Sequence, residues 1–303
     1  MEDVYQSLKL TRQASHKALR HSSSDRPIRD QIISQANFIR SKHRKMGCRK
    51  LANRIKMDGS GRDKTERLLL QSGFRIARKI KHVKTTHRQS LMYFPNLIRG
   101  LTLKSKNRLI QTDITYYIIG EHHYYIVFII DVYTRLITGY NVSDTLKASE
   151  NIKALQMALS VRSSDDLSML IHHSDKGSQY IDKDYLNLIA KNNIRVSMCD
   201  YAWENAYCER LNRTIKEEYL DPIGIKNFTQ LRKEVNRAVQ LYNEDRGHKN
   251  LLNEMSPSQF ERYLTKTNAK QHPEMELYSP PEEVINKKTE LLTKKKSSKK
   301  RNL

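Results

Sequence analysis

The fold is decided by one stretch of the chain, RLIQTDITYYIIGEHHYYIVFIIDVYTRLITGYNV (residues 108–142). It is dense in Ile, Val, Tyr and Thr, the residues that favour extended backbone. Gly120 and the turn-like residues 131–135 divide it into three runs. The pattern predicts three adjacent strands that form an antiparallel meander.

Downstream of this meander, helical and extended patterns alternate. Residues 145–160 place Ala148, Ile152, Leu155 and Leu159 on one helical stripe. The short strand SMLIHH, a helix over 182–191 and the strand IRVSM follow, and a long helix begins near Trp203. Three strands followed by alternating helices and strands predict an α/β fold with a mixed sheet flanked by helices.

The chain upstream of the meander is basic and helical. Ile32, Ala36, Ile39 and His43 recur at helical spacing over about 29–45, and two short basic helical segments follow Gly47. We therefore predict a DNA-binding region over residues 1–90, with a helix-turn-helix-like unit at about 29–81. A small structural helical bundle would show the same pattern. The further predicted divisions are a connector (91–107), a catalytic core with closing helices (108–262) and a basic disordered tail (263–303).

The charge distribution points to a polyanionic partner. Lys and Arg number 55 against 33 Asp and Glu, a net charge of +22. Residues 1–100 carry +17 and residues 263–303 carry +5, which leaves the centre neutral. A neutral core with basic flanks is typical of an enzyme that acts on nucleic acid. No apolar run is long enough to cross a membrane, and three cysteines without a CxxC pair argue against disulfides and a zinc knuckle.

Three acidic residues stand out against this background. Asp113 lies inside an apolar strand, where a carboxylate is costly unless it is paired or binds a metal ion. Asp175 follows the strand SMLIHH, and Glu209 lies on the helix WENAYCERLNRTIKEEY. At 100° per residue, Glu209, Arg213 and Lys216 share one face, while Cys208, Leu211, Ile215 and Tyr219 form another. Each acid also has an ordinary reading, as a strand-edge, turn or solvated-face residue, so their order and context carry the inference.

Other polar residues have simpler explanations. Asp131 fits a turn acid at a strand end, and His172 and His173 fit structural positions before Asp175. We expect Trp203 and Tyr207 to pack rather than to stack on bases. The run Lys294–Arg301 is either a weak phosphate-binding segment or a solvated tail.

These motifs together resemble the OrfB-type transposases of the IS-three insertion-sequence family, whose core is similar to that of retroviral integrases. The similarity covers about residues 8–262. It rests on TDIT (112–115), YYIVFIIDVYTRLITGY (124–140), HSDKGSQY (173–180), SMCDYAWENAYCERLNRTIKEEYL (197–220) and YNEDRGHKNLLNEMSPSQF (242–260). Upstream, LTRQA and MGCRKL resemble the family's helix-turn-helix-like region.

The resemblance implies an RNase H-like fold and assigns the site. Asp113, Asp175 and Glu209 take the DDE roles and hold two Mg²⁺ (or Mn²⁺) ions. Lys216 contacts DNA, and Arg213, Arg49 and Lys50 are further candidate DNA contacts. Glu204 stands where the family often has Asp, and Gly247 stands where proline is common, so only local geometry is affected there.

The expected activity is DNA transposition by phosphoryl transfer, with hydrolysis at the element end followed by attack of the freed 3′-hydroxyl. The expected partners are double-stranded DNA at insertion-sequence ends and target DNA, an OrfA-type protein or a frameshift fusion with it, and further copies of the chain on DNA. We expect it in the bacterial cytoplasm, associated with DNA. The alternatives are an RNase H-like nuclease that does not join ends, and a DNA-binding derivative whose catalysis has decayed.

Overall fold

A computed structural model describes residues 12–58, 60–76 and 93–277 of the chain. The chain separates into two compact units. One comprises Met1–Arg88 with Arg213–His248, and the other comprises Gln89–Asn212 with Lys249–Leu303. None of the helices within the described ranges combines the length and hydrophobicity that a membrane crossing requires. The domain boundaries at residues 90, 107 and 262 stay predictions.

The first unit is helical. Its elements are α1 (Arg12–Lys42), α2 (Cys48–Arg54), α3 (Arg62–Gln71), a π-helical turn (Ile215–Leu220) and α7 (Phe228–Glu244). Gly47 and Gly61 are the N-cap residues of α2 and α3. Gly73 follows α3 with φ of +83°, the left-handed conformation that ends many helices. Gly59 lies outside the described residues.

Helix α1 corrects one expectation. The sequence predicted a helix over about 29–45, but one continuous helix runs from Arg12 to Lys42 with Pro27 inside it. The predicted apolar stripe is confirmed, because Ile32 and Ala36 are buried together with Leu51, Ile55 and Leu69 of the following segments. Three helices surround this core, and the helix-turn-helix-like unit stays a prediction. The part of the predicted unit at 77–81 lies outside the described residues.

The second unit is built on a five-stranded mixed sheet. The strands of this sheet are β2 (Leu109–Ile119), β3 (His122–Asp131), β4 (Ile137–Ser143), β5 (Ile171–Ser174) and β6 (Arg195–Met198). Two further strands, β1 (Thr102–Leu103) and β7 (Met275–Glu276), form a separate two-stranded sheet. The α-helices of this unit are α4 (Ala148–Val161), α5 (Lys183–Lys191), α6 (Ala206–Thr214) and α8 (Pro257–Lys266). The five-stranded sheet has the order β4-β3-β2-β5-β6. β2, β3 and β4 are antiparallel neighbours, and β5 and β6 run parallel to β2. The predicted meander and mixed sheet are confirmed.

The C-terminal part of this unit corrects a second expectation. Residues 263–303 were predicted to be disordered, yet α8 extends to Lys266 and β7 pairs antiparallel with β1. Leu264 and Leu277 are buried in a cluster with Leu103. A few apolar residues therefore suffice to anchor residues 263–277, which composition alone does not reveal. The Lys294–Arg301 run lies outside the described residues.

Helix α4 packs closely against β4 because residue 139 has no side chain. A Cβ atom placed on Gly139 would lie 2.2 Å from the Ala154 carbonyl oxygen and 3.0 Å from the Ala158 Cβ. Both alanines are buried in the cluster beneath the sheet. The small residues at this crossing let the helix approach the strand at backbone distance.

We expect Gly139→Ser to lower the free energy of unfolding by roughly 1–3 kcal/mol, because the new Cβ forces apart backbone atoms that cannot yield cheaply. Gly61→Ser is the matched control. A Cβ there meets nothing within 4 Å, and serine is a favoured N-cap residue. Denaturant titration of both variants measures the difference, and equal stabilities would show that the close crossing does not exist.

Candidate active site

The first two candidate acids lie on neighbouring parallel strands. Asp113 is in β2, and Asp175 directly follows β5. The register between these strands pairs Gln111 with His173, so two further residues bring Asp113 level with Asp175. Parallel neighbours are about 4.8 Å apart. The sheet therefore places these two acids side by side.

The charge environment of Asp113 shows that the third acid is near as well. Burial, followed by the charges of Asp175 and Glu209, raises the pKa of Asp113 to about 7. Asp175 keeps an exposed side chain. The protein atoms packed around it nevertheless raise its pKa, against the opposing hydrogen bond from the Gly177 N–H. Asp113 thus lies in a zone of converging negative charge.

The third acid is carried by a composite helix. A 3₁₀ turn (Ala202–Asn205) leads into α6, and the π-helical turn follows from Ile215. Glu209 is exposed, whereas Cys208 and Leu211 are buried. Ile215 and Tyr219 are also buried, so the predicted division into a buried and an exposed face is confirmed. The uniform projection of 100° per residue holds only as far as Thr214, because the Asp221 N–H bonds the Lys216 carbonyl five residues back.

Three amide side chains attach this helix to β2. Gln111 Nε2 donates to the Glu204 carbonyl at 2.7 Å, and its Oε1 accepts the Tyr207 N–H at 3.2 Å. Asn205 Nδ2 donates to the Thr112 carbonyl at 2.9 Å. Asn212 Nδ2 donates to Asp113 Oδ2 at 2.8 Å. These hydrogen bonds hold the helix that carries Glu209 against the strand that carries Asp113.

Sequence reasoning did not single out these amides as site residues. All three are buried, at 0% exposure for Gln111, 2% for Asn205 and 5% for Asn212. One of these amides could have been predicted from the sequence. Gln111 is a polar residue in an apolar strand, two positions before Asp113, and a buried amide requires hydrogen-bond partners. The identity of those partners depends on the tertiary fold.

The donor set is chemically suited to a hard divalent cation. Carboxylate and amide oxygens are the ligands that Mg²⁺ and Mn²⁺ prefer. Asn212 Oδ1 is buried and has no hydrogen-bond partner among the described residues, so an acceptor beside Asp113 is left for a further group. Within the described part of the chain, no group of three or more His, Cys, Asp or Glu side chains forms a ready metal site. The chemistry of the carboxylate and amide oxygens fits such an ion.

Asp131 is structural, as the sequence indicated. Its carboxylate is buried and accepts the backbone N–H groups of Asn107 at 2.8 Å and of Tyr133 and Thr134 at 3.0 Å. The carboxyl therefore closes the turn between β3 and β4. It is committed to backbone hydrogen bonds.

The paired histidines and the cysteines are structural too. His172 Nε2 contacts the Tyr185 hydroxyl and His173 Nδ1 contacts the Ser197 hydroxyl, each at 2.8 Å. Burial lowers the pKa of His172 to about 3 and of His173 to about 4, so both rings are neutral. Cys199 and Cys208 are free buried thiols.

The four candidate DNA contacts have different surroundings. Arg49 Nη1 is 3.2 Å from Glu66 Oε2, and Lys50 Nζ is 3.9 Å from Glu218 Oε1. Arg213 is exposed and Lys216 is partly buried. Their roles in DNA binding stay predictions.

The chain is similar to integrase core domains and to proteins of insertion elements. Two models described as "Integrase core domain" match residues 104–202 and 193–257. The insertion element IS600 uncharacterized 31 kDa protein of Shigella sonnei is 30% identical over 84% of this chain and 96% of that protein. The transposase for insertion sequence element IS629 of Shigella sonnei is 27% identical over 67% of this chain and 70% of that protein. Transposase InsF for insertion sequence IS3A of Escherichia coli K12 is 32% identical over 49% of this chain and 52% of that protein.

Among solved structures, the HTLV-2 integrase catalytic core domain in complex with magnesium is similar to this chain. It matches 55% of this chain and 98% of its own length, at 17% identity and a TM-score of 0.43.

We expect Asp131→Asn to lower the free energy of unfolding by about 3 kcal/mol, because an amide nitrogen cannot accept the backbone N–H groups that the carboxylate now accepts. Asp175→Asn should change stability far less, since its side chain is exposed. Thermal and denaturant unfolding of the two variants measure this contrast. A stable Asp131→Asn protein with reduced Mg²⁺ binding would make Asp131 a metal ligand instead.

Proposed function

Because this chain belongs to the insertion-sequence transposases that contain an integrase core domain, we propose that Asp113, Asp175 and Glu209 form its DDE active site. The chain is a DDE-type transposase, an enzyme that cuts and joins DNA. The fold class predicted from the sequence, an RNase H-like mixed sheet flanked by helices, is confirmed.

One observation carries the proposal. Asp113 lies half-buried on the central strand, and the charges of Asp175 and Glu209 add to the elevation of its pKa to about 7. Three carboxylates close together destabilise the folded protein through mutual repulsion. Such clusters are typical of functional sites in which a bound cation neutralises the charge. Asn212 supports the assignment, since it holds one Asp113 oxygen and presents a buried acceptor beside it.

The proposed cofactor is a pair of Mg²⁺ (or Mn²⁺) ions held by the three carboxylates. When bound, these ions supply the positive charge that neutralises the scissile phosphate and acidifies the attacking water or hydroxyl. Asp113 and Asp175 hold them from adjacent strands, and Glu209 completes the site from α6. Asn212 orients the Asp113 carboxylate through its 2.8 Å hydrogen bond.

The proposed reaction has two steps. Hydrolysis first frees a 3′-hydroxyl at the element end. That hydroxyl then attacks a second phosphodiester in line, so that one P–O bond forms as another breaks and the leaving 3′-oxygen takes up a proton. The protein contributes position and charge neutralisation, and no covalent protein–DNA intermediate is needed.

The chain acts on DNA, as its family does. We further propose that it recognises double-stranded DNA at insertion-sequence ends, in the bacterial cytoplasm, as a homo-oligomer. An OrfA-type protein or a frameshift fusion would supply end recognition. Arg213, Lys216, Arg49 and Lys50 are the proposed phosphate contacts, each contributing to a salt-dependent affinity.

We expect Asp175→Asn to abolish the formation of excised element circles in cells that carry the native locus, its ends and the upstream reading frame. The amide removes a negative oxygen ligand while it keeps the side-chain shape. Asp184→Asn, which changes another exposed aspartate of the same unit, is the control and should retain circles. Circle formation is measured by amplification across the joined ends.

The other outcomes separate the alternatives. Equal circles from wild type and Asp175→Asn would remove Asp175 from the site. Metal-dependent cleavage of the ends without joined products would favour a nuclease. DNA binding without circles from any variant would favour a decayed DNA-binding derivative.

A further inference from the structure

A second charged cluster lies between the proposed second acid and the start of the helix that carries the third. It consists of Arg99, Lys176, Asp200 and Glu204, all within the second unit, and is called the bracket below. Lys176 is the residue after Asp175, and Glu204 lies five residues before Glu209. The bracket therefore reaches both elements through their immediate neighbours.

Asp200 is the centre of the bracket. Its Oδ1 is 3.0 Å from Lys176 Nζ, and its Oδ2 is 2.9 Å from Arg99 Nη2. Arg99 Nε in turn donates to Glu204 Oε1 at 2.8 Å. The Asp200 carboxylate thus links the turn after β5, through Arg99, to the 3₁₀ turn that precedes α6.

Glu204 fixes the helix end of the bracket. Its Oε2 accepts the backbone N–H groups of Asp200 at 2.7 Å and Tyr201 at 2.9 Å, as the acidic member of a capping box. Its side chain is only 6% exposed. A buried carboxylate with these three donors has one defined position, and the loop 200–204 is held with it.

Aromatic rings cover the bracket. The Tyr201 and Trp203 rings stack with centroids 4.3 Å apart and an interplanar angle of 7°. The Arg99 guanidinium lies 5.7 Å from the Tyr201 ring centroid, and Lys176 Nζ lies 4.5 Å from that of Tyr93. Trp203 is the one tryptophan of the sequence, so its fluorescence reports on this cluster alone.

Exposed ion pairs such as those of Asp200, which is 43% exposed, contribute little to folding stability. Asp200 nevertheless makes two ion pairs, and one of its partners, Arg99, also bonds the buried Glu204. Together these contacts can fix the distance between the turn after Asp175 and the loop 200–204. We propose that Asp200 is a positioning residue for the transposase reaction, which holds the Asp175 turn and the Glu209 helix at the separation that binds the metal ions. This inference rests on the proposed triad.

The test is Asp200→Asn, which keeps the side-chain shape and removes the charge that attracts both Lys176 and Arg99. Cleavage of a plasmid that carries the native element is measured against Mg²⁺ concentration, with the OrfA-type protein supplied in the same reaction. We expect kcat to fall and the Mg²⁺ concentration for half-maximal activity to rise, each by about 10- to 100-fold, as for other residues that orient metal ligands. KM for DNA should stay within about twofold, because no DNA contact is removed.

Asp165→Asn is the matched control. Asp165 also serves two donors, with Lys106 Nζ and Asn107 Nδ2 each at 2.8 Å from its Oδ2, but it touches neither the Asp175 turn nor α6. Both variants should melt within a few degrees of each other. Asp200→Glu should restore part of the lost Mg²⁺ response, since it keeps the charge.

Trp203 emission gives a readout that does not depend on activity. In Asp200→Asn without DNA, acrylamide should quench Trp203 more strongly, and the emission change on adding Mg²⁺ should require a higher concentration than in wild type. Wild-type activity and Mg²⁺ response in Asp200→Asn would overturn the proposal, as would an equal loss in Asp165→Asn. If wild type itself lacks metal-dependent cleavage, the proposed triad fails, whereas the quenching difference still tests the bracket.

Discussion

The attachment of α6 to β2 is the constraint on which the site depends. Gln111, Asn205 and Asn212 bridge the two elements through buried hydrogen bonds of 2.7–2.9 Å. A buried amide that loses its partner costs about 1–3 kcal/mol, so the helix cannot slide along the strand without losing several such bonds. Glu209 therefore has a fixed position relative to Asp113, and Asp175 is fixed to the same strand through the parallel register with β5.

The sheet order explains why this arrangement is possible. An antiparallel meander and two parallel strands share β2 as the central strand, which is the longest of the sheet at 11 residues. Asp113 lies where β5 ends and β2 continues beside β3 alone. At this point the acid can be half-buried and still reach a cleft. The neighbouring charges of Asp175 and Glu209, which raise the pKa of Asp113, are what a cation-binding site requires.

Two polar systems surround the site and differ in purpose. Asp131, His172 and His173 are buried, and their hydrogen-bond partners are backbone amides or hydroxyl groups, with the Arg162 guanidinium 3.9 Å from Asp131 as a further charged neighbour. They hold turns and strands. The bracket around Asp200 is instead partly solvated and joins the edges of the two catalytic elements. Buried polar groups contribute strongly to the free energy of unfolding, because each loses its partners if the fold opens. Partly exposed groups with several partners contribute little to it, yet they can set the distance between two elements.

The sequence by itself determined the mixed sheet and the family and proposed the three acids, because these depend on local patterns: extended runs, apolar periodicity and short motifs. It also identified the buried face of the Glu209 helix as far as the regular α-helix extends. Only the tertiary structure decided which amides meet Asp113 and its strand, why Asp131 is structural, that α1 is continuous through Pro27, and that residues near 275 return to pair with β1. The π-helical turn after Thr214 belongs to the same group. Each of these depends on contacts between residues far apart in the chain. The free energy of such contacts depends on the tertiary fold, so a short stretch of sequence does not predict it.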